Sequence, residues 1–429
     1  MKVYRLLLII LVLSLSGCSI LQAQNFLATQ ELLPTSSATS VVLPTETIQP
    51  ALVPTVSGDI NLQVWVPPQF DPESGTPAGI LMKERLADFT ARKPNVQIDV
   101  RVKEVQGPGG LLNTLETANS AAQLALPDLV ILPSEALEPA VDNGLLYSFE
   151  NLSSTLDDPD WYSFARQMAR VQEKTYGIPI AGDALIQLVR SGAITEPAEN
   201  WNSLTQGSSP LAFPADDPEG LFTLAQYQAN KGIIRDEEGN PTLDVEKLTE
   251  VLSFYQQANS SGIMPFWLTG FQTDDQIWNV FQEGQANQVI TWSSRFLANN
   301  SEAITVTQIP TSDGLPFTLG NGWLWTLTSP NPENHEISVQ LAEFMTESDF
   351  LAKWTEASGF LPPRSSSFNA WSNQVLKNQL EPIARTFLPF PSTDVIEILG
   401  PLLQKATVDI LKQQSSPSEA AQTAADSLK

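Results

Sequence analysis

Hydrophobic and polar positions alternate over Ile60, Leu62, Val64 and Val66, the two-residue period of a strand. Met82, Leu86 and Phe89 then recur at helical spacing, and Pro94 ends that helix. Val96, Ile98, Val100 and Val102 alternate again and predict a second strand. Gly107-Pro108-Gly109-Gly110 breaks the chain before a further helix carrying Leu112, Leu115 and Ala122. Asp128-Leu129-Val130-Ile131-Leu132-Pro133 is a short, nearly continuous apolar run, suited to a strand buried on both faces. Strand, helix, strand, helix, strand predicts an α/β lobe on a parallel sheet. Ligands of such sheets bind at the carboxyl ends of the strands, which places Pro67–Phe70 and Pro133–Ala136 near a pocket.

The N-terminus follows another pattern. Lys2 and Arg5 precede an apolar run, Leu6 to Leu15, interrupted only by Ser14. As a helix this run spans about 15 Å, half a bilayer core, so it fits a secretory signal rather than a membrane span. It ends in Leu15-Ser16-Gly17-Cys18, which resembles a bacterial lipobox. That resemblance implies removal of residues 1–17 and lipidation of Cys18, leaving a protein anchored to a membrane without spanning it. Cys18 is the sole cysteine, so intramolecular disulfides and cysteine-based metal sites are excluded. Residues 18–58 are rich in Ser, Thr and Pro and are expected to be a disordered tether reaching about 35 Å. The rest, from Asp59 onward, is too long for one typical core and predicts two lobes.

Charge and chemistry narrow the function by exclusion. Without residues 1–17, 48 acidic residues face 21 basic ones. That balance argues against nucleic acid and against docking on anionic headgroups. His335 is the only histidine, so zinc sites and Ser-His-Asp chemistry lack their usual parts, and no phosphate loop of the GxxxxGK type occurs. A glycosidase needs only two carboxylates, but no acidic pair here sits in a recognisable motif. Neither an enzyme nor a cofactor is expected.

Several ordered motifs resemble the extracellular solute-binding proteins of ABC transporters, of the type that includes maltose-binding protein. Ile60-Asn61-Leu62-Gln63-Val64-Trp65 is similar to the family's first strand, and Phe89-Thr90-Ala91-Arg92-Lys93-Pro94-Asn95-Val96-Gln97-Ile98 to its helix end and second strand. Pro127–Val130, Asp142–Leu146, Tyr176–Ala181, Phe281–Ala286 and Gly359–Arg364 follow in the expected order. The resemblance implies a two-lobed periplasmic-binding-protein-like α/β fold, each lobe a mainly parallel sheet flanked by helices, with the ligand cleft between lobes. Residues 59–180 and 321–347 are expected as lobe I, and 181–320 and 348–429 as lobe II. Crossings are expected near Pro179–Asp183, near Phe317–Gly322, and after the helix containing Leu341–Met345. A monomer is implied, on the cell surface or in the periplasm, which captures a small ligand for the membrane subunits of an ABC permease. The same fold also serves sensors, adhesins and binders of non-sugar solutes.

Ten tryptophans favour a sugar, because a flat indole suits the apolar face of a sugar ring. Trp292, in Thr291-Trp292-Ser293-Ser294-Arg295, lies where related proteins contact ligand, which makes Ser293 and Arg295 candidates with it. Trp323 follows Gly320-Asn321-Gly322, a flexible junction, so Trp323 and Asn321 are candidates, and Trp65 lies at the crevice end of the first strand. Gln69, Glu135 and Asp183 add amide and carboxylate partners for hydroxyls, and Arg364 completes the set. The scarcity of basic residues at these positions argues against an anionic ligand.

Overall fold

The computed structural model describes residues 59–428 apart from Pro108 and Asn300, so the signal segment, Cys18 and the tether lie outside the described residues. Eleven strands occur among those residues. They are β1 (Ile60–Val66), β2 (Val96–Val102), β3 (Leu129–Pro133), β4 (Arg170–Val171), β5 (Lys174–Thr175), β6 (Gly177–Arg190), β7 (Leu211–Ala212), β8 (Gln288–Trp292), β9 (Ile304–Thr307), β10 (Thr318–Leu327) and β11 (Phe387–Pro389).

The opening segment folds as its periodicity predicts. β1 pairs in parallel with β2, from Ile60 opposite Val96 to Val66 opposite Val102, and with β3 on its other side. The helix Pro77–Arg92 begins at Thr76, whose hydroxyl caps Gly79 N at 3.1 Å, and Pro77 occupies the first turn, where its missing N–H costs nothing. Met82, Leu86 and Phe89 form its buried stripe. Every residue of β3 is buried, because it lies inside the sheet.

The sheet runs β2-β1-β3-β10-β6-β8-β7, with β9 added to β6 and β11 to β10. Its centre is the antiparallel pair β6 and β10. Their adjoining portions, Gly177–Ala181 and Trp323–Thr326, belong to the half that contains β1–β3. The rest of β6, Leu185–Arg190, pairs with β8 and β9 in the other half. Two continuous strands therefore pass from half to half. Gly320-Asn321-Gly322 is not a loose junction but part of β10, paired with Ala184-Asp183-Gly182. The glycines are there for space. A Cβ on Gly320 would stand 2.4 Å from the Asp183 carbonyl oxygen, and one on Gly322 would stand 2.4 Å from Met168 Sδ.

The expected division after residue 347 does not match the packing. The helix Ser348–Ser358 lies on the helix Pro77–Arg92 of the first half, and Trp354 stacks on Phe70 with centroids 5.1 Å apart. Trp354 and Phe350 are apolar positions that the first half buries, which holds this helix there. The helix Gln374–Thr386 touches the helix Ser163–Met168 and β9, bridging the halves. From β11 onward the chain joins the second half, where the helices Thr393–Leu411 and Pro417–Asp426 pack on the helix Val245–Ser260.

Candidate functional site

A cavity of about 640 Å³ opens between the halves. Gln106, Leu112, Asn113 and Glu116 line it from the segment after β2, and Pro133, Glu135 and Ala136 from the end of β3. The second half contributes Glu219, Leu221, Trp292, Phe390, Thr393, Ile396 and Glu397, and Asn321 lies at the crossing of β6 and β10. Both first-half segments sit at carboxyl ends of parallel strands, where the backbone leaves the sheet and side chains are free to converge.

A second hollow of about 360 Å³ shares Pro218, Glu219, Leu221 and Trp292 with the first and adds Asp217, Gln272, Thr273 and Asp274. Trp292 thus borders both. Its ring is half-buried and meets Phe390 at 5.9 Å with an interplanar angle of 60°. Two contacts cross between the halves beside the cavity. Thr393 Oγ1 donates to the Glu135 carbonyl at 3.0 Å, and Arg235 pairs with Glu138 at 3.0 Å.

Of the residues expected at a ligand site, Glu135, Trp292 and Asn321 line this cavity. Asp183 and Ser293 lie just behind it. The Asp183 carboxylate accepts from Ser293 Oγ at 2.7 Å, Ser294 N at 2.9 Å and Ser294 Oγ at 2.5 Å. Asp183 therefore ties the crossing strand to the residues that follow Trp292, and acts through its position.

The other expected residues are placed elsewhere. Trp65 is 3% exposed and packs with Leu111, Leu115 and Val130, with the Lys103 ammonium 5.1 Å from its ring. Trp323 is 8% exposed and meets Phe70 edge-on at 5.5 Å, so it fills core. Gln69 is exposed to solvent in a short helical turn, outside the lining of the cavity. Arg295 is drawn to Asp274 at 2.7 Å and to Asp275, and does not line either hollow. Arg364 lies over Trp161 at 4.3 Å and near Asp158 at 3.6 Å, because its backbone bridges to Trp161 rather than to the cleft.

Glu219, Phe390, Thr393 and Glu397 escaped the sequence reading, and so did Gln106 and Asn113. The strand-end rule reaches the last two, since the glycine break after β2 stands at a carboxyl strand end. Phe390 and Glu397 carry no local signal, because their sequence neighbours do not reveal that the last long helix faces the cleft.

Desolvation shapes the acids here. Burial pushes Glu135 up to about 7, with repulsion from Glu219 adding to it. Burial likewise pushes Asp183 up to about 6, against the three hydrogen bonds that favour its charged form. Asp217, Glu219 and Asp274 are also raised, chiefly by desolvation.

A folded-state value above the unfolded one means the native chain binds more protons, so stability falls as pH rises through this window. The ligand-free protein is expected to melt at a higher temperature near about pH 5 than near about pH 8. Glu135→Gln is expected to shrink that difference. A Glu135→Gln protein with an unchanged melting-temperature profile would refute the assignment. The lowered carboxylates Glu250, Glu356 and Glu381 act below this window, where they lose their charge.

Two α/β halves joined by shared strands around a cleft define a two-lobed binding-protein fold. Residues 84–379, more than half of the chain, match the bacterial extracellular solute-binding proteins, and the chain belongs to that family. Among solved structures, the sugar-binding protein MalE of Xanthomonas citri is similar with a TM-score of 0.72 at 17% identity, over 86% of this chain and 96% of that one. The cyclic alpha-maltosyl-1,6-maltose binding protein of Arthrobacter globiformis gives a TM-score of 0.71 at 15% identity, over 86% of this chain and 98% of that one. A binding protein of Brucella abortus (strain 2308) is 24% identical over 317 residues, 68% of this chain and 74% of its own length. Among the described residues no helix is long and apolar enough to cross a membrane.

Proposed function

We propose that this solute-binding protein captures a mono- or oligosaccharide between two hinged lobes and delivers it to an ABC importer, held at the membrane by a lipid on Cys18. The observation that carries the reading is the cavity itself. It lies between two halves that share only a few chain passages, so hinge closure can bury a small molecule there. Trp292 and Phe390 offer aromatic faces to a sugar ring, while Gln106, Asn113, Asn321 and Thr393 supply donors and acceptors for hydroxyls. The likeness to sugar-binding proteins in fold supports the same reading. With its division placed near Phe387, the second lobe would swing on β6, β10 and the segment entering β11.

A thermal-shift panel of the purified protein tests it, with mono- and oligosaccharides, polyols, amino acids and peptides as ligands. A sugar present at about one hundred times its dissociation constant is expected to add about 2.7 kcal/mol of stability. A panel in which amino acids or peptides shift the melting temperature and no sugar does would overturn the sugar assignment.

A further inference from the structure

The cavity is polarised in charge. Glu116, Glu135, Glu219 and Glu397 line it, and no lysine, arginine or histidine does. The adjoining hollow adds Asp217 and Asp274, again without a base in its lining. Among the described residues, none of the four carboxylates of the main cavity joins an ion pair. Other acids of the fold are paired. Glu381 is held by both Lys377 and Arg385, and Asp274 by Arg295 from outside the hollow.

Glu135 and Glu219 both line the cavity and approach it from opposite halves, one from the end of β3 and the other from the turn before the helix Leu221–Ala229. Like charges brought together as two halves close resist that closure, and a cation between them reverses the sign of that interaction. A neutral sugar leaves this repulsion in place. An anionic one, such as a uronate or a sugar phosphate, worsens it. Trp292 points the same way, since an indole face attracts a cation as well as a sugar face.

Building on the reading of the chain as a sugar-binding protein, we propose that its ligand is a sugar bearing a protonated amine, with the ammonium held between Glu135 and Glu219 and the ring against Trp292. The amine then does what a neutral hydroxyl cannot: it bridges carboxylates of the two halves and favours the closed form. The negative charge of the whole chain, −25, draws such a ligand toward the cleft.

The test is a set of calorimetric titrations of the purified protein near neutral pH. The ligands are glucosamine oligomers, their N-acetylated counterparts and glucose oligomers of matched length, with spermidine as a cation that lacks a sugar ring. Glucosamine oligomers are expected to bind at least about tenfold more tightly than either neutral series. That preference is expected to shrink with added salt, and in the Glu135→Gln/Glu219→Gln protein the ratio of affinities is expected to fall toward one. A circular-dichroism melt confirms that the variant is folded. Equal or tighter binding of the neutral series overturns the inference and leaves the sugar reading standing. Binding of spermidine with no sugar of any series overturns both.

Discussion

Trp292→Ala is expected to weaken ligand binding by about 30- to 100-fold while leaving the fold nearly as stable as before. The loss corresponds to about 2–3 kcal/mol, the usual range for an aromatic anchor in a binding site. The ring is half-buried, borders both hollows, meets Phe390 and packs on the edge of the core, so truncating it empties the cleft wall and disturbs the core far less than loss of a fully buried ring. Trp354 supplies the contrast. It is fully buried against Phe70 and Phe360, and its replacement by alanine is expected to cost about 3–5 kcal/mol of stability. Titration and denaturant unfolding of the two variants separate the effects. Full affinity in Trp292→Ala would show that the ligand binds elsewhere.

The contrast between these two tryptophans also shows how far the sequence could be read. Ile60, Leu62, Val64 and Val66 mark a strand because they enter the core while Asn61 and Gln63 between them stay at least partly exposed, and Leu129–Leu132 mark a central strand because both its faces are covered. Such patterns record burial, which local spacing encodes. The site is another matter. Trp65, Trp292 and Trp323 look alike in sequence, each near a strand end or junction, yet only Trp292 reaches the cavity.

What separates them is the packing partner. Phe70, far from Trp323 in the chain, arrives to cover its ring, and Leu111 and Leu115 cover Trp65. Arg295 and Arg364 stand in motifs expected at the cleft, but the acids that capture them, Asp274 and Asp158, come from other segments. The acidic lining was equally hidden. With 48 carboxylates in the chain, no spacing marks which four converge.

Gly320→Ala is expected to strike both the fold and the site, with a loss of about 3 kcal/mol of stability and Gly320→Val worse. The added Cβ would stand 2.4 Å from the Asp183 carbonyl oxygen and 3.0 Å from the Ala184 Cα, both backbone atoms that cannot swing aside. β6 and β10 must then separate at the place where they pass from one half of the molecule to the other. The damage is not confined to packing. Asp183 holds Ser293 and Ser294 behind Trp292, and Asn321 beside Gly320 lines the cavity, so a displaced crossing moves the ligand wall from both sides.

Weaker ligand binding is therefore expected alongside the lower stability, measured below the melting temperature of the variant. Gly192→Ala is the control, since a Cβ there meets nothing within 4 Å, and it is expected to change stability by no more than about 0.5 kcal/mol. If Gly320→Ala proved as mild as Gly192→Ala, the two strands would have room to part at the crossing. The close approach would then be a preference of the fold rather than a constraint on it.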